Sequence, residues 1–484
     1  MEKNDLKPAG VFNYFAEICQ VPRPSKHEEK MIAYLKAFGE KHGLETKSDE
    51  VGNLLITKPA TAGMENRKTV ILQSHIDMVC EKNNDVQHDF FNDPIETVID
   101  GEWMRAKGTT LGADNGIGVA TELALLADNT LSHGKIECLF TVDEETGLTG
   151  ANALKPGFMT GHMLLNLDSE DEGELFIGCA GGIGTTGTLI YNKVELPHGY
   201  FACKVSVKGL KGGHSGGDIH LGLGNANKIL NRFLMRAFKK YNLYLCTIDG
   251  GNLHNAIARE ASAVVAIPET DKHELRAELN LFAAEVETEY AAVDPDLQLL
   301  LESEEMHSQA MDKESTKRLL QILYAMPHGV YAMSHDIPGL VETSTNLASV
   351  KMAPDNTIRI VTSQRSSIES AKRDIAEMVR TVFEMGGATA TSSDGYPGWK
   401  PNPHSEILQI ATDSYRRLFG TVPKVMAIHA GLECGLFLDK YPELDMISFG
   451  PTLRGVHSPD ERMHIPSVDK FWKHLLDILS NIPA

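Results

Sequence analysis

Short apolar runs that end in acidic or histidine side chains decide the fold class of this chain. They are TVILQSHIDM, KIECLFTVDE and HMLLNLDSE, and helix-like segments separate them. Nearly continuous apolar runs of this length are typical of strands buried on both faces of a parallel sheet. Ligands of such sheets bind beyond the carboxyl ends of the strands. The pattern therefore predicts an α/β domain with a mainly parallel sheet and a polar site at one edge.

The middle of the chain predicts a second domain. Residues 200–304 have the order strand, helix, two strands, helix, strand, and residues 312–392 repeat much of it. This repetition favours two small α+β units in tandem, and one irregular domain is the alternative. The turn-rich GYPGWKPNP that follows suits a linker. We therefore predict a first domain built from residues 1–185 and 397–484, with an inserted domain over residues 186–396.

A helix start is predicted in SKHEEKMIAYLKAFGEKHG. Ser25 and Glu28 have the spacing of a capping box, in which the two residues satisfy each other's free backbone amides. The helical periodicity that follows ends at Gly43.

The composition excludes several classes of partner. The chain has 66 acidic and 46 basic residues, a formal net charge of −20, and no basic cluster, which argues against nucleic acid and anionic membrane surfaces. The N-terminal residues lack the apolar core of a signal peptide, and no run reaches the length of a membrane span. The seven cysteines form no CxxC pair, so we expect reduced thiols rather than disulfides or a zinc knuckle. These features predict a soluble, cytoplasmic protein.

Histidine and aspartate side chains at one predicted strand end suggest metal chemistry. In SHIDM, His75 and Asp77 are two residues apart, so both point to the same side of an extended chain. A carboxylate often holds the second ring nitrogen of a metal-binding histidine. Asp114 lies in TTLGADNGIG, a glycine-rich turn before an apolar helix, where a simple helix cap is the alternative.

The run VDEETG places two adjacent glutamates after a buried strand. Glu144 and Glu145 repel each other and cost desolvation energy unless a cation compensates them, and a solvated loop is the alternative. Asp168 in LNLDSED follows another strand, where a surface turn is the alternative. His457 lies in LRGVHSPDE, where an exposed polar loop is the alternative.

Taken together, these residues predict a metal centre. Their nitrogen and oxygen donors suit zinc, manganese or cobalt rather than structural zinc held by thiolates. There are more candidate ligands than one tetrahedral site with an open position needs, so two metal ions that share a bridging carboxylate are the simplest interpretation. Such a pair supports hydrolysis of a carbonyl compound.

The motifs SHIDMV, TTLGADNGIG, VDEETGLTGA, LNLDSE, KGLKGGHSGGDI and RGVHSPDE resemble those of the co-catalytic dizinc aminopeptidases and carboxypeptidases, the family that includes carnosinases. The resemblance keeps motif order and spacing along the whole chain. It implies that the first domain is catalytic and that the inserted domain is a lid. Relatives with one lid unit borrow lid residues from a partner subunit, whereas two units are predicted here, so a homodimer is an implication of the family alone.

The resemblance implies a role for each candidate residue of the first domain. It implies two divalent metal ions, zinc first and cobalt or manganese as alternatives, held by Asp114 as the bridge, by His75 and Asp168 on one ion, and by Glu145 and His457 on the other. Glu144 is then the general base that takes a proton from the attacking water, and Asp77 orients His75.

The resemblance also implies substrate-binding residues in or near the inserted domain. His214 in GGHSGG would stabilise the oxyanion, Asn255 in GNLHNAIA would bind substrate, and Arg365 in SQRSS would grip a terminal carboxylate. Without the resemblance, these three residues suggest only turns and a surface charge.

The segment AIHAGLECGLF matches a glycine-rich substrate loop of the family. Gly431 would let the backbone approach the ligand, and His429 and Glu433 would hold residues that contact the ligand or the metal ions. The loop departs from the GGTD common in relatives, and a helix-start turn with a buried histidine is an equal interpretation.

The function that follows is that of a metal-dependent dipeptidase. It would hydrolyse unblocked dipeptides with broad specificity, including Xaa-His dipeptides such as carnosine. An N-acyl amino acid deacylase on the same fold is one alternative, and a non-catalytic peptide-binding protein is another.

Overall fold

The computed structural model describes residues 6–484, which form two compact units. Unit 1 contains the chain up to Cys179, Trp399–Ala427 and Leu432–Ala484. Unit 2 contains Ala180–Gly398 and Ile428–Gly431.

The first part of unit 1 alternates strands and helices. Its elements are α1 (Ala9–Ile18), α2 (Glu29–Lys41), β1 (Glu45–Ser48), β2 (Leu54–Lys58), β3 (Val70–His75), β4 (Thr97–Asp100), β5 (Trp103–Ala106), α3 (Ala113–Ala127), β6 (Ile136–Thr141), α4 (Thr149–Ala153), β7 (Met163–Asn166) and β8 (Glu174–Cys179).

Unit 2 is richer in strands. Its elements are β9 (Gly181–Ile190), β10 (Lys193–Glu195), β11 (Tyr200–Lys208), β12 (Gly213–His214), α5 (Ala226–Lys240), β13 (Tyr244–Gly250), β14 (Ala256–Ile257), β15 (Ala261–Pro268), α6 (Lys272–Tyr290), β16 (Gln298–Ser303), β17 (Gln309–Met311), α7 (Lys313–Ala325), β18 (Gly329–Met333), β19 (Val341–Met352), β20 (Thr357–Ser366), α8 (Glu369–Met385) and β21 (Thr389–Ser392).

The last part of the chain returns to unit 1. Its elements are α9 (Glu406–Phe419), β22 (Lys424–Ile428), α10 (Glu433–Lys440), β23 (Asp445–Ser448), β24 (Leu453–Arg454), β25 (Arg462–His464) and α11 (Ile465–Ser480).

The main sheet of unit 1 is parallel at its centre, as the apolar runs predict. Among the described residues its order is β1-β2-β6-β3-β7-β23-β8-β22, and the neighbours from β6 to β23 run parallel. Every residue of β3, β6 and β7 is buried. Because parallel strands end at the same edge of a sheet, the loops after β3, β6, β7 and β23 are gathered there.

The main sheet of unit 2 is antiparallel and joins two repeats. Its order is β16-β11-β15-β13-β19-β20-β9-β21, with β18 paired to β19. The first repeat runs from β11 to β16, the second from α7 to β21, and the pair β13–β19 connects them through Gly250 and Val350. Buried side chains of α5, α6 and α8, among them Phe233, Phe282 and Phe383, belong to one core shared by both repeats. The predicted α/β fold with an inserted α+β domain of two tandem units is confirmed.

One local prediction is wrong in detail. The capping box does not form, because Ser25 Oγ donates to Asp77 Oδ2 at 2.8 Å and Glu28 Oε1 accepts from the backbone N–H groups of Lys26 and Asp143. The helix α2 therefore begins at Glu29 without a side-chain cap. The predicted linker does contain the boundary between the units, since unit 2 ends at Gly398 and unit 1 resumes at Trp399. It is structured there, because Trp399 is buried and forms a bridge with Cys179.

Across residues 6–484, no helix combines the length and the apolar character that crossing a membrane requires.

Candidate active site

Most candidate site residues of unit 1 lie at or directly after the carboxyl ends of parallel strands, one lies at a helix start, and one follows a strand outside the main sheet. The set comprises His75 as the last residue of β3, Asp114 in the first turn of α3, Glu144 and Glu145 after β6, Asp168 after β7, and His457 after β24. The structure brings these residues together although up to several hundred residues of chain separate them.

Asp114 lies between two histidines. Its Oδ1 is 3.1 Å from Nε2 of His75, and its Oδ2 is 3.1 Å from Nε2 of His457. A further carboxylate stands beside each histidine, with Asp168 Oδ1 3.4 Å from the His75 nitrogen and Glu145 Oε2 3.0 Å from the His457 nitrogen. Each half of the cluster thus offers one imidazole, one carboxylate and one oxygen of Asp114.

The turn before Asp114 sets the direction of this side chain. Gly112 has a φ of +67°, and a Cβ there would lie 2.6 Å from Nη2 of Arg23, so glycine is the residue that fits. Asp114 itself has non-helical dihedrals, φ −83° and ψ 109°. The following Asn115 donates its side-chain amide to Asp168 and accepts from the backbone N–H of Gly118. The loop of Asp168 is thereby tied to the start of α3.

Asp77 connects the loop after β3 with the loop after β6. Its Oδ1 lies 3.2 Å from Nδ1 of His75. The same carboxylate accepts the backbone N–H of Glu144 at 3.0 Å and that of Glu145 at 3.2 Å. Burial opposes ionisation of Asp77, but its hydrogen bond and charge interaction with His75 outweigh burial and lower its pKa. Asp77 therefore stays an anion that fixes both the imidazole and the paired glutamates.

Glu144 is half-buried among other acids. Burial raises its pKa well above the usual value, the charges of Asp168, Glu433 and Glu145 raise it further, and His75 opposes them. A carboxyl group with a raised pKa holds a proton more readily than an exposed one, which suits a group that must accept and return a proton near neutral pH.

Carboxylates outnumber the two histidines in this cluster. Among the described residues, no lysine or arginine forms an ion pair with Asp114, Glu144, Glu145 or Asp168. Burial raises the pKa of Asp168 to about 6. The hydrogen bonds of Asp114 and Glu145 raise the pKa of His457 to about 11. Positive charge is therefore strongly favoured at this place.

The donors fit divalent metal ions. His75, Asp114 and Glu145 offer ligand atoms that lie within 4.8 Å of one another. Oε1 of Glu145 is buried and has no hydrogen-bond partner among the described residues, as expected of an atom that binds a metal. Imidazole nitrogen and carboxylate oxygen suit zinc, cobalt and manganese.

A neighbouring group of carboxylates accepts hydrogen bonds from protein donors. Glu28, Asp77 and Asp143 also lie within reach of one another. Their oxygens, however, accept from protein donors, since Asp143 accepts from the hydroxyls of Thr146 and Thr149 and Glu28 accepts from two backbone amides. This group builds the loops rather than a second metal site.

Unit 2 brings the predicted substrate-binding residues together. Strands β12 and β14 pair His214 with Ala256. The backbone N–H of Ser215 donates to the carbonyl of Asn255 at 2.8 Å, which holds the β12 turn against the segment before β14. Arg365, on β20, reaches the group from the main sheet, with Nη2 3.5 Å from Nε2 of His214. Asn255 is exposed, whereas His214 is half-buried.

Arg365 is a buried cation without a counter-ion. Its side chain is 6% exposed, and among the described residues no carboxylate forms an ion pair with it. Nη1 donates to the hydroxyl of Tyr396 at 2.7 Å, Nη2 lies 3.4 Å from Oγ of Ser215, and the buried Nε has no acceptor among the described residues. Because an unpaired buried charge is costly, this geometry favours an anionic ligand.

Gly431 contacts the same group through Tyr396. A Cβ at Gly431 would lie 2.9 Å from the Tyr396 ring, so the absence of a side chain lets the ring pack there. The backbone carbonyl of Tyr396 accepts from Nζ of Lys372 at 2.6 Å. Tyr396 therefore fixes one edge of the Arg365 guanidinium, a role that the sequence interpretation of its segment as a linker missed.

Part of this group lines a cleft of about 930 Å³ in unit 2. Its lining includes Asn255, Arg365 and Tyr396, together with His254 and the exposed Arg359. Burial lowers the pKa of His214, and the charge of Arg365 lowers it further. His214 is therefore neutral near pH 7 and available as a hydrogen-bond donor or acceptor.

Further buried polar residues support the unit 1 site. Glu433 accepts from Nε2 of Gln73 at 2.6 Å and from the hydroxyl of Thr141 at 2.9 Å, and burial raises its pKa to about 8. Arg23 and Glu461, which the sequence analysis did not single out, contact the turn that carries Asp114. The only sequence signal for Glu461 was its place in HSPDE, four residues after His457.

Comparison with known proteins agrees with this geometry. Residues 71–481 match the family described as peptidase family M20/M25/M40. The chain is 46% identical over 483 residues to a protein of Escherichia coli (strain K12) named cytosol non-specific dipeptidase, with 100% of this chain and 99% of that protein covered.

A solved structure has the same fold along the whole chain. The aminoacylhistidine dipeptidase of Vibrio alginolyticus is 45% identical and has a TM-score of 0.92, with 100% of this chain and 98% of that chain covered. A tripeptidase of Staphylococcus aureus, 16% identical with a TM-score of 0.56 over 99% of both chains, shares the fold alone. The full-length match confirms the resemblance to the dimetal peptidases. Membership of that family implies that this chain is a peptidase with two divalent metal ions. The chain belongs to peptidase family M20/M25/M40.

Proposed function

We propose that the chain is a metal-dependent dipeptidase that hydrolyses unblocked dipeptides, Xaa-His dipeptides such as carnosine among them. The observation that carries the proposal is the position of Asp114 between His75 and His457, with one further carboxylate beside each histidine. The names of the relatives from Escherichia coli and Vibrio alginolyticus support a dipeptide as the substrate.

The five donors divide into two sets. His75 and Asp168 would hold one metal ion, Glu145 and His457 the other, and Asp114 would contribute one oxygen to each. Bound divalent ions of this kind polarise a carbonyl group and lower the pKa of water. Zinc is our first expectation, and the nitrogen and oxygen donors accept cobalt and manganese as well.

Glu144 moves the proton in the proposed reaction. One of its carboxylate oxygens accepts a proton from the water that attacks the peptide carbonyl. The same oxygen then delivers this proton to the nitrogen of the leaving amine as the C–N bond breaks. Asp77 positions both His75 and Glu144, because it contacts the His75 ring and accepts the backbone N–H of Glu144.

The residues of unit 2 recognise the dipeptide. Arg365 would bind the C-terminal carboxylate through two parallel N–H bonds, the geometry that a planar guanidinium favours. His214 would donate a hydrogen bond to the oxygen of the scissile carbonyl as negative charge develops on it. Asn255 and the backbone at Gly431 would contact the rest of the substrate.

A substrate panel tests the proposal. The panel contains a free dipeptide, carnosine, the same dipeptide with an amidated C-terminus, a tripeptide and an N-acetyl amino acid. Each is incubated with metal-stripped protein and with protein supplied with zinc, manganese or cobalt. Metal-restored cleavage of the free dipeptides, with the amide cleaved poorly, is the expected result.

Two other outcomes would replace the proposal. Cleavage of the N-acetyl amino acid alone would indicate a deacylase, and cleavage of no compound by metal-loaded protein would indicate a peptide-binding protein. The cytosolic location and a homodimer are further parts of the proposal, and cell fractionation and light scattering test them.

A further inference from the structure

Glu461 holds the turn that carries Asp114. Its side chain is 2% exposed, and its carboxylate accepts from consecutive backbone N–H groups. The donors are Leu111 at 2.7 Å, Gly112 at 2.9 Å, Ala113 at 2.7 Å and Asp114 at 3.3 Å. An anion that accepts several neighbouring amides fixes the orientation of each peptide plane in the turn.

Arg23 holds the same turn through its carbonyl groups. It is also 2% exposed, and its Nη2 donates to the carbonyl of Gly112 at 2.5 Å. Its Nη1 donates to the carbonyls of Ile76 at 3.2 Å and Asp77 at 2.8 Å. Gly112 is therefore held by Glu461 at its N–H and by Arg23 at its carbonyl.

These contacts join three segments that carry candidate ligands. Arg23 contacts the segment directly after His75, the turn directly before Asp114 contacts both charged side chains, and Glu461 follows His457 by four residues. The two oxygens of Asp114 face His75 and His457, so a small rotation of the turn would move the carboxylate away from one of them.

We infer that Glu461 and Arg23 are positioning residues that hold Asp114 between His75 and His457 and thereby set the affinity of the site for both metal ions. The inference rests on the proposed metal site. It assigns to these residues no contact with the substrate.

Simple stabilisation of the fold is the alternative, and a matched buried carboxylate separates the two. Glu137 lies near the start of β6, whereas Glu144 follows the other end of this strand. Like Glu461, Glu137 is buried and accepts backbone N–H groups, those of Thr160 at 2.7 Å and Gly161 at 3.2 Å. Loss of its negative charge removes equivalent contacts at a distance from the ligands.

The test compares Glu461→Gln with Glu137→Gln in the full chain. The amide keeps the size of the carboxylate but replaces one acceptor oxygen with a donor. We measure the melting temperature of each metal-free protein, metal ions bound per chain, the cobalt dissociation constant, and the visible spectrum of the cobalt-loaded protein. The kcat and KM for a free dipeptide complete the comparison.

We expect Glu461→Gln to weaken metal binding by about 10-fold to 100-fold, as is typical when a group that orients a ligand is removed. Its cobalt spectrum should change, and its kcat should fall while KM changes little. Glu137→Gln should lose thermal stability but keep the metal affinity and the cobalt spectrum of the wild type. Equal metal affinity in Glu461→Gln and the wild type, or an equal loss in Glu137→Gln, would overturn the inference.

A second variant serves if Glu461→Gln does not fold. Arg23→Lys keeps the positive charge, but its single ammonium group cannot reproduce the separate contacts of Nη1 and Nη2. We expect weaker metal binding in this variant too, and unchanged binding would contradict the inference. Failure of the proposed function is distinguishable, because it would show as tight metal binding by the wild type without dipeptide hydrolysis.

Discussion

The adjacent glutamates of VDEETG have different tasks in the proposed site. Glu145, a proposed metal ligand, lies 3.0 Å from Nε2 of His457, and its buried Oε1 has no hydrogen-bond partner among the described residues. Glu144 shares with it the support of Asp77, which accepts both backbone N–H groups. Two bound cations would offset the repulsion between the two carboxylates.

Substitution of each glutamate by glutamine tests this division. We expect Glu144→Gln to keep the metal content of the wild type and to lose about 10²-fold to 10⁴-fold in kcat, because the proton acceptor is gone. Glu145→Gln should lose bound metal as well as activity. Metal analysis and dipeptide hydrolysis on the same samples measure both effects. Substantial turnover by metal-loaded Glu144→Gln would remove Glu144 from the role of general base.

Two arginines that line the same cleft test whether Arg365 binds the C-terminal carboxylate of the substrate. Arg365 is buried without a counter-ion, whereas Arg359 is exposed. We expect Arg365→Ala to raise KM for a free dipeptide at least about 10-fold, as charge-assisted hydrogen bonds to a carboxylate are lost. The amidated dipeptide should be affected much less, and Arg359→Ala should change either KM little. Equal effects of Arg365→Ala on the free and amidated substrates would contradict binding of the substrate carboxylate by Arg365.

At the scale of elements, helices α9 and α11 enclose a histidine that resists protonation. His474 of α11 packs against the rings of Tyr415 and Phe449, and its Nε2 lies 2.8 Å from the carbonyl of Ala411. Burial lowers its pKa to about 4, while the contact with Ala411 opposes this shift. The packing of these helices should therefore depend on pH.

The sign of this dependence follows from proton uptake. Between about pH 4 and pH 6.5 the unfolded chain binds a proton at His474 that the folded chain does not, so the free energy of unfolding falls as the pH falls. The contribution is about 1.4 kcal/mol per pH unit within this window. Urea unfolding of the metal-free protein from pH 7 to pH 5 measures the slope. His474→Gln should have a shallower slope, and an identical slope would show that the pKa of His474 is the same in the folded and the unfolded chain.

Element order was predictable from the sequence, whereas contacts distant along the chain were not. The strands β3, β6 and β7 and the acids after them were predicted, because apolar runs and their polar ends are local signals. The capping box predicted at Ser25 does not form, because the Ser25 hydroxyl donates a hydrogen bond to Asp77, 52 residues away along the chain. Glu461 contacts Leu111 across 350 residues, and no local pattern marks such a contact.

At the scale of the whole molecule, we expect the sheet of unit 1 to form without the metal ions. The strands β3, β6 and β7 are buried along their length, whereas the candidate ligands lie mainly in the loops that follow the strands. The core therefore supplies the stability of the sheet, and the metal ions would act on the loops. The acidic cluster is the part that should respond to metal removal.

Chelation tests this separation. We expect a chelator to abolish dipeptide hydrolysis and to lower the melting temperature without changing the far-ultraviolet circular dichroism spectrum at about 25 °C. The expected stabilisation by a bound ion is about 2.7 kcal/mol when its free concentration is about 100 times the dissociation constant. Loss of secondary structure on chelation would show instead that the metal ions hold the fold together.

Hydrolysis of dipeptides is proposed to depend on metal bound to this site. Metal-stripped protein is titrated with zinc or manganese, and bound metal per chain and hydrolysis of one free dipeptide are measured in each sample. We predict no hydrolysis without metal and full activity at about two ions per chain, the number that the ligand set implies. Hydrolysis that is independent of bound metal, or the absence of hydrolysis with both ions bound, would contradict a metal-dependent dipeptidase.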